Sequence, residues 1–461
     1  MEKVFYEVNS LDRRCYEEFA LTEDILMEHA ASSMANFIED RFDKKTSIFI
    51  VAGPGNNGAD GIALARLLYK KYDVKLYLPF GAKSSMAKLQ KKRLKFLGLS
   101  LVDSLCECDI VVDCLFGSGL NKQLDEKSLN IIDNLNKQKS YKIACDIPSG
   151  INIKGQINQN AFCADTTITM GALKVALFSD EAKDFVGKIK VANLGIQRNI
   201  YEDDTNIFLL QRKDMNLPFR DKKDSHKGSF GHLNVILGSK KGAAIIASKA
   251  AFSFGAGLVS VVSHKNLDLP IHIMQNDSLT NNCSAIAIGM GLGKYKEDEV
   301  KGILNHNIPT VIDADLFYEE IILQKLQKDV VLTPHPKEFC SLLKLCDIAN
   351  LKVDELQKNR FKYVSEFCKK YPNVTLLLKG ANTLIAKDKK IYINSFGSPV
   401  LSKGGSGDVL SGLIGALLAQ GYDSLDAAIS ASLAHCFAAK KFKNNNYSLL
   451  PDDLIKKVKK L

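Results

Sequence analysis

Residues 46–79 read TSIFIVAGPGNNGADGIALARLLYKKYDVKLYLP. An apolar run suited to a strand ends at Ala52, a glycine-rich turn follows, a helical stretch comes next, and a second strand-like run starts near Val74. This order is the repeating unit of a parallel sheet, because parallel neighbours need a long crossover that usually contains a helix. Outward from it, DIVVDCLFG (109–117), KIACDIPSG (142–150) and DTTITMG (165–171) supply further strands, and EKSLNIIDNLNKQ (126–138) supplies a helical pattern. The amphipathic stretch 10–42 precedes the first of these strands and predicts one or two helices. Over about 205–228 the periodicity fails in a charged, proline-containing segment, where a linker is expected. Alternation then restarts through HLNVILGS (232–239), LVSVVS (258–263), SAIAIGMGLG (284–293), TVIDAD (310–315), VVLTPHP (330–336) and VTLLLKG (374–380). The reading is α/β, with two doubly wound domains over 1–210 and 222–461. A chain of 461 residues also exceeds the size at which one core stops growing.

Composition narrows the function classes. Hydrophobic residues at 46% and charged residues at 25% exclude a disordered or collagen-like chain. The longest apolar runs are too short and too glycine-rich to span a bilayer, and MEKVFYEVNSLDRR has no secretory signal pattern. Eleven cysteines, scattered singly, fit reduced thiols in the cytoplasm. Cys106 and Cys108 have no partner pair at zinc-site spacing. The net charge of +10 is spread over helical faces, so it predicts neither a nucleic-acid nor a membrane partner, only attraction for phosphorylated small molecules.

The candidate chemistry sits at strand ends. GPGNNGADG (53–61) lies between a strand and a helix, where amides hold anions, and its spacing differs from the hydride-transfer GxGxxG pattern. Asp113, the turn Gly117-Ser118-Gly119, Asp146 and Ser149 follow other strands, and in a doubly wound sheet such ends converge on one crevice. Asn57, Asp113 and Ser149 are hard oxygen donors suited to an alkali or alkaline-earth cation. Asp146 is an acid/base candidate, and loop capping is the plain alternative for both aspartates. In the second half, GGSGDVLSG (404–412) opens an apolar helix with Asp408 in its first turn, the arrangement of a base beside an anion hole. KGANT (379–383) adds a lysine and a hydroxyl, TPHPKEF (333–339) holds His335 between prolines, and GAGLV and GMGLG supply close-approach turns at Gly257 and Gly291.

In this order GPGNNGADG, DCLFGSGL and DIPSG resemble the epimerase that repairs hydrated nicotinamide cofactors, over about 1–210. The resemblance implies a Rossmann-like domain in which Asn57, Asp113 and Ser149 hold potassium. Asn56, Asn57, Gly58, Ala59 and Asp60 would bind the hydrate together with Gly117, Ser118, Gly119, Leu120, Asn121, Lys122 and Gln123, and Asp146 would move protons. HKGSFGHLNVILGS, GAGLV, GMGLG, TPHPKEF, KGANT and GGSGD resemble the ribokinase-like dehydratase of the same hydrates, over about 222–461. That implies magnesium, ADP or ATP as co-substrate, and phosphorylation of the hydrate hydroxyl followed by loss of phosphate. Gly257, Gly291, His335 and Asp408 would face the hydrate, while Lys379, Gly380, Ala381, Asn382, Thr383 and Gly407 would hold the nucleotide. The partners implied are NADHX, NADPHX and an adenine nucleotide, and a homo-oligomer is expected. Ala59, Lys337, Lys403 and Ser406 depart from the family pattern, which has Gly, Gly, a smaller residue and Thr there. The rival enzyme class is a sugar or vitamin kinase, for which GGSGD serves equally. A cofactor sensor with a dead site is disfavoured by the presence of both Asp146 and Asp408.

Overall fold

The computed structural model describes residues 1–120, 122–157 and 159–461. The chain forms two compact units, one of Lys3–Thr205 and one of Asn206–Leu461 with Met1–Glu2.

The first unit contains β1 (Glu2–Phe5, its first residue shared with the other unit), β2 (Ser47–Ala52), β3 (Asp73–Tyr77), β4 (Leu101–Val102), β5 (Ile110–Cys114), β6 (Tyr141–Cys145), β7 (Thr166–Met170), β8 (Leu173–Lys174) and β9 (Lys188–Ala192). Seven of them form one sheet in the order β4-β3-β2-β5-β6-β7-β9, parallel at every pairing, while β1 pairs with β8. The crossover after β2 runs to β3 on one side and β5 lies on the other, which makes the gap between β2 and β5 the switch point. Side chains alternate across the pleat. Ile48, Ile50 and Ala52 pack with Met34, Ile38 and Ile62, whereas Phe49 and Val51 pack with Ile132, Leu135 and Phe162 on the other face. Both faces are covered, so β5 is buried along its whole length.

The second unit adds β10 (Ile207–Leu209), β11 (His232–Ile236), β12 (Leu258–Val262), β13 (Met274–Asn276), β14 (Ala285–Ile288), β15 (Thr310–Ile312), β16 (Val330–Leu332), β17 (Val374–Leu378), β18 (Thr383–Lys387) and β19 (Lys390–Asn394). They run β13-β12-β11-β14-β15-β16-β17-β18-β19-β10 across the sheet. The pairings are parallel except for those of β18 with its two neighbours. Helix Ser406–Ala419 is buried nearly all round and packs on helix Lys241–Ser253 and on the central strands.

The expected boundary shifts. Residues 206–210, read as the end of the first domain, belong to the second unit. Ile207 and Leu209 pair with Ile391 and Ile393 of β19, and Leu210 is fully buried in that core. Fully burying such a side chain stabilises by about 1.5–3 kcal/mol. A fragment starting at 206 is therefore expected to melt several degrees above one starting at 222, and equal melting temperatures would place the boundary back in the charged segment. Among the described residues no helix is long and apolar enough to cross a membrane.

Candidate active sites

In the first unit the turn after β2 must pass close to the loop after β5. A Cβ on Gly53 would stand 1.8 Å from the Leu115 carbonyl oxygen, and the Gly53 amide donates to Cys114 O at 2.9 Å. This contact sets the start of helix Asn56–Leu68 at the switch point, with the early amides lacking intrahelical partners. Asn57 comes next: both polar atoms of its amide are buried and make no hydrogen bond among the described residues, and a Cβ on Gly117 would lie 3.1 Å from its Oδ1. Asp113 is fully buried. Its Oδ1 accepts from Ser149 Oγ at 2.6 Å and Leu115 N at 3.1 Å, and its Oδ2 from Ser149 N at 2.8 Å. Burial pushes this carboxyl up to about 6 despite those hydrogen bonds, and no cationic side chain pairs with it among the described residues. An unpaired buried carboxylate beside an orphaned amide and a buried hydroxyl fits a hard, weakly charged cation.

Asp146 follows β6 with a left-handed φ of 67°. Its Oδ1 accepts from Lys174 Nζ at 2.6 Å, Met170 N at 3.2 Å and Thr169 Oγ1 at 3.2 Å. Lys174 is itself 1% exposed and also donates to Thr169 Oγ1 and Met170 O. Sequence reading missed Lys174, although a lysine inside the apolar run GALKVALF was a signal. Asp60 lines a cavity of about 110 Å³ with Asp12, Glu23 and Asn56, and the Asn56 amide donates to Glu23 at 2.6 Å. Gly117, Gly119, Leu120, Lys122 and Gln123 line a second, open hollow of about 450 Å³, and Ser118 lies half-buried in the same turn. Asn121 lies outside the described residues. Ala59 is a correction. Its side chain is fully buried in the core with Ile62 and Met27 and its amide closes the helix to Gly55 O, so the extra methyl faces the core.

In the second unit the residues after β15 and β17 meet the start of helix Ser406–Ala419. Gly405 precedes it with φ 87°, a left-handed turn that a side chain would strain. A Cβ on Gly407 would be 3.6 Å from Lys379 Nζ and 3.7 Å from Asp313 Oδ2. Lys379 pairs with Asp313 at 2.8 Å and lies 3.9 Å from Glu338, and Ser411 Oγ donates to Asp313 at 2.8 Å. Burial opposes ionisation of Asp313, but Lys379 and these hydrogen bonds outweigh it and hold the carboxyl below its usual range. Asp408 goes the other way. Burial, aided by the Asp313 charge and only partly offset by Lys379, pushes it up to about 6. The turn 379–383 is held from below by Arg360, whose guanidinium donates to the carbonyls of Leu378, Lys379 and Asn382. Asn382 is buried, Gly380 and Ala381 are exposed, and Thr383 opens β18. Asp313 and Arg360 were not singled out from sequence, though TVIDAD placed the first at a strand end.

His335 caps helix Pro336–Leu345. Its Nδ1 accepts from Glu338 N at 3.2 Å, and Glu338 Oε2 accepts from His335 N at 2.7 Å. It remains half-exposed at the end of β16. Gly291 follows β14 with φ 57°, and its carbonyl accepts from Lys240 N at 3.0 Å. Ser406 is buried against His435, whose ring nitrogen Nε2 lies 3.2 Å from its Oγ. Burial depresses that histidine to about 4, leaving it neutral. Lys337 and Lys403 are exposed. Gly257 is the second correction. It precedes β12, packed where a Cβ would strike Lys227 O at 1.8 Å. The same turn contacts Gln420 through Gly255, just past the far end of the helix that Asp408 begins. From Asp408 to Ala419 that helix rises about 16 Å, so Gly257 and Asp408 belong to opposite ends of the strands.

Two α/β units, each with a carboxylate at the carboxyl ends of parallel strands, define a two-domain enzyme architecture: a Rossmann-like unit followed by a ribokinase-like one. Residues 233–460 match the family described as NAD(P)H-hydrate dehydratase, and residues 23–176 match the YjeF-related N-terminal family. The bifunctional NAD(P)H-hydrate repair enzyme of Helicobacter pylori is 45% identical, with all of both chains covered. That of Escherichia coli is 30% identical over 93% of this chain and 87% of its own. A Bacillus subtilis ADP/ATP-dependent NAD(P)H-hydrate dehydratase, co-crystallised with ATP and Mg2+, aligns at TM-score 0.48 and 27% identity, covering 56% of this chain and 98% of its own. The chain belongs to the family of bifunctional NAD(P)H-hydrate repair enzymes. This membership sets aside the sugar or vitamin kinase as the reading of the second unit.

Proposed function

We propose that the first unit interconverts the R and S forms of hydrated NADH and NADPH, and that the second dehydrates the S form with ADP or ATP as phosphoryl donor. The observation that carries this reading is Asp408 in the opening turn of a helix, beside the buried Asp313–Lys379 pair. Asp408 takes the proton of the hydrate hydroxyl as that oxygen bonds to the terminal phosphorus and the bridging P–O bond of the nucleotide breaks. Phosphate then leaves with the C–O bond, and loss of a proton from the neighbouring carbon restores the reduced nicotinamide. Lys379, the turn through Gly380, Ala381, Asn382 and Thr383, and Gly407 hold the nucleotide phosphates, while Gly291 and His335 flank the hydrate. Magnesium fits as an ion held chiefly by those phosphates, because no cluster of three or more His, Cys, Asp or Glu side chains at metal distance exists among the described residues. It would supply charge neutralisation.

At the first site the carboxylate of Asp146, paired with Lys174 at 2.6 Å, moves a proton of the hydrate, which Asn56, Gly58, Asp60 and the 117–123 turn would seat. Asn57 Oδ1, Asp113 and Ser149 Oγ would hold potassium, which supplies the countercharge their buried carboxylate lacks. Asp113→Ala is expected to abolish thermal stabilisation of this unit by KCl and to weaken epimerisation. In the unaltered chain, potassium affinity should fall as pH drops through about 6, because Asp113 is then protonated. Equal stabilisation of both proteins by KCl would refute the cradle.

The overall test incubates the chain with both epimers of hydrated NADH, with and without ADP. Loss of the R form and release of phosphate with restored absorbance of NADH are expected. A stable phosphorylated product would point back to a kinase. The eleven thiols, none in a disulfide, fit a reducing, cytoplasmic location.

A further inference from the structure

Inverting the hydroxyl-bearing carbon of the hydrate requires two proton events when the hydroxyl departs and water returns on the other face. The leaving oxygen must gain a proton, and the incoming water must lose one. Asp146, ion-paired to Lys174 at 2.6 Å, suits only the second. Another carboxyl stands at the same place. Asp60, on helix Asn56–Leu68, is 9% exposed and turned into the 110 Å³ cavity, and it makes no hydrogen bond or ion pair among the described residues. Met170 lines that cavity too, and its amide donates to Asp146 at 3.2 Å, so Asp146 is hydrogen-bonded to a residue of the cavity wall. The charged groups facing Asp60 are Asp12 from helix Asn9–Glu18, Glu23 from helix Glu23–Glu39, Asp146 after β6 and Lys174 of β8. Burial first, then the three carboxylates, raise its pKa well above the usual carboxylate range, and Lys174 offsets this only in part. Asp60 is thus a carboxyl whose surroundings favour its protonated form, as an acid requires.

We infer that Asp60 is the acid of the epimerisation, delivering its proton to the departing hydroxyl while Asp146 receives one from the water that replaces it. This rests on the epimerase reading of the first unit. Hydration places the hydroxyl on the carbon bonded to the ring nitrogen, because that nitrogen's lone pair stabilises the adjacent cation. In the first step this lone pair forms a C=N bond as the C–O bond breaks. The oxygen leaves as water with the Asp60 proton, which yields an iminium ring and an Asp60 carboxylate. In the second step water bonds to the opposite face, the C=N pair returns to nitrogen, and the surplus proton passes to Asp146. One water leaves and one enters, nothing is oxidised, and the proton moved from Asp60 to Asp146 returns through solvent or through turnover in the reverse direction.

The test uses the full chain. Asp60→Asn keeps the shape and removes the acid, so its epimerisation kcat is expected to fall at least about 10²-fold with KM little changed. The high-pH decline of the unaltered enzyme should disappear from what remains, and the dehydratase activity of the same chain should persist. A kcat equal to that of the unaltered chain would overturn the inference and leave the epimerase reading intact. Failure of the unaltered chain to epimerise would instead remove that reading. Should Asp60→Asn fail to melt cooperatively, turnover of the unaltered enzyme in heavy-oxygen water decides: one solvent oxygen incorporated per inversion is expected, and retention of the original oxygen overturns the step.

Discussion

Asp408→Asn is expected to lower dehydration by at least about 10²-fold, the low end of what a positioned base contributes, with adenine nucleotide affinity and epimerisation nearly unchanged. A hydroxyl is a poor nucleophile at pH 7, and the two buried carboxylates beside Asp408 are already engaged. Asp313 is locked to Lys379 and Ser411, and Glu338 caps a helix with His335. The nucleotide contacts proposed above lie on backbone amides and on Lys379, which the substitution leaves in place. Because Asp408 titrates near 6, dehydration by the unaltered enzyme should rise with pH through that value as the base loses its proton. Asp313→Asn removes the neighbouring charge that helps to raise Asp408, so the same limb should move to lower pH. Steady-state rates between pH 5 and 8 with nucleotide titrations check both. Equal losses of nucleotide binding and turnover in Asp408→Asn would make Asp408 a helix-start residue and place the base elsewhere.

Lys174→Met is expected to have the largest structural effect in the first unit. The Asp146–Lys174 pair is almost fully buried, and removing one partner of such a pair leaves an uncompensated charge at a cost of about 3–5 kcal/mol. The variant can evade part of that cost only by protonating Asp146, which removes the base. Either outcome lowers epimerisation. The second unit, with its own core, should retain dehydratase activity. Denaturant melts followed by activity of each unit separate the two losses. Full stability with full epimerisation in Lys174→Met would show the pair to be dispensable.

Local periodicity carried most of the architecture. Apolar runs joined by helical stretches state a parallel sheet, and in such a sheet a residue just after a strand is sent to the carboxyl edge whatever the rest of the chain does. That is why Asp146, His335 and Lys379 were legible as strand-end residues from their positions in KIACDIPSG, VVLTPHP and VTLLLKG, whereas Asp113 lies in the last residues of its strand and Asp408 in the first turn of a helix. Glycine turns were legible as close approaches, but the sequence does not say what approaches. Gly53 meets the switch-point loop and Gly257 meets the turn 227–230 at the amino ends of the strands, and the two look alike on paper.

The tertiary structure decided everything that depends on partners distant in the chain. Asp146 and Lys174, Asp313 and Lys379, and Asp60 with Asp12 and Glu23 are each brought together by sheet order and helix packing. No periodicity encodes such pairings. The same holds for β10, whose few residues carry too weak a pattern to announce a strand until β19 offers an edge. The sequence by itself determined that Asp146, His335 and Lys379 follow strands, because strand direction is a local property. Only the folded chain decided which carboxyls keep a proton and which keep a charge, because protonation depends on burial and on neighbours that local pattern cannot supply.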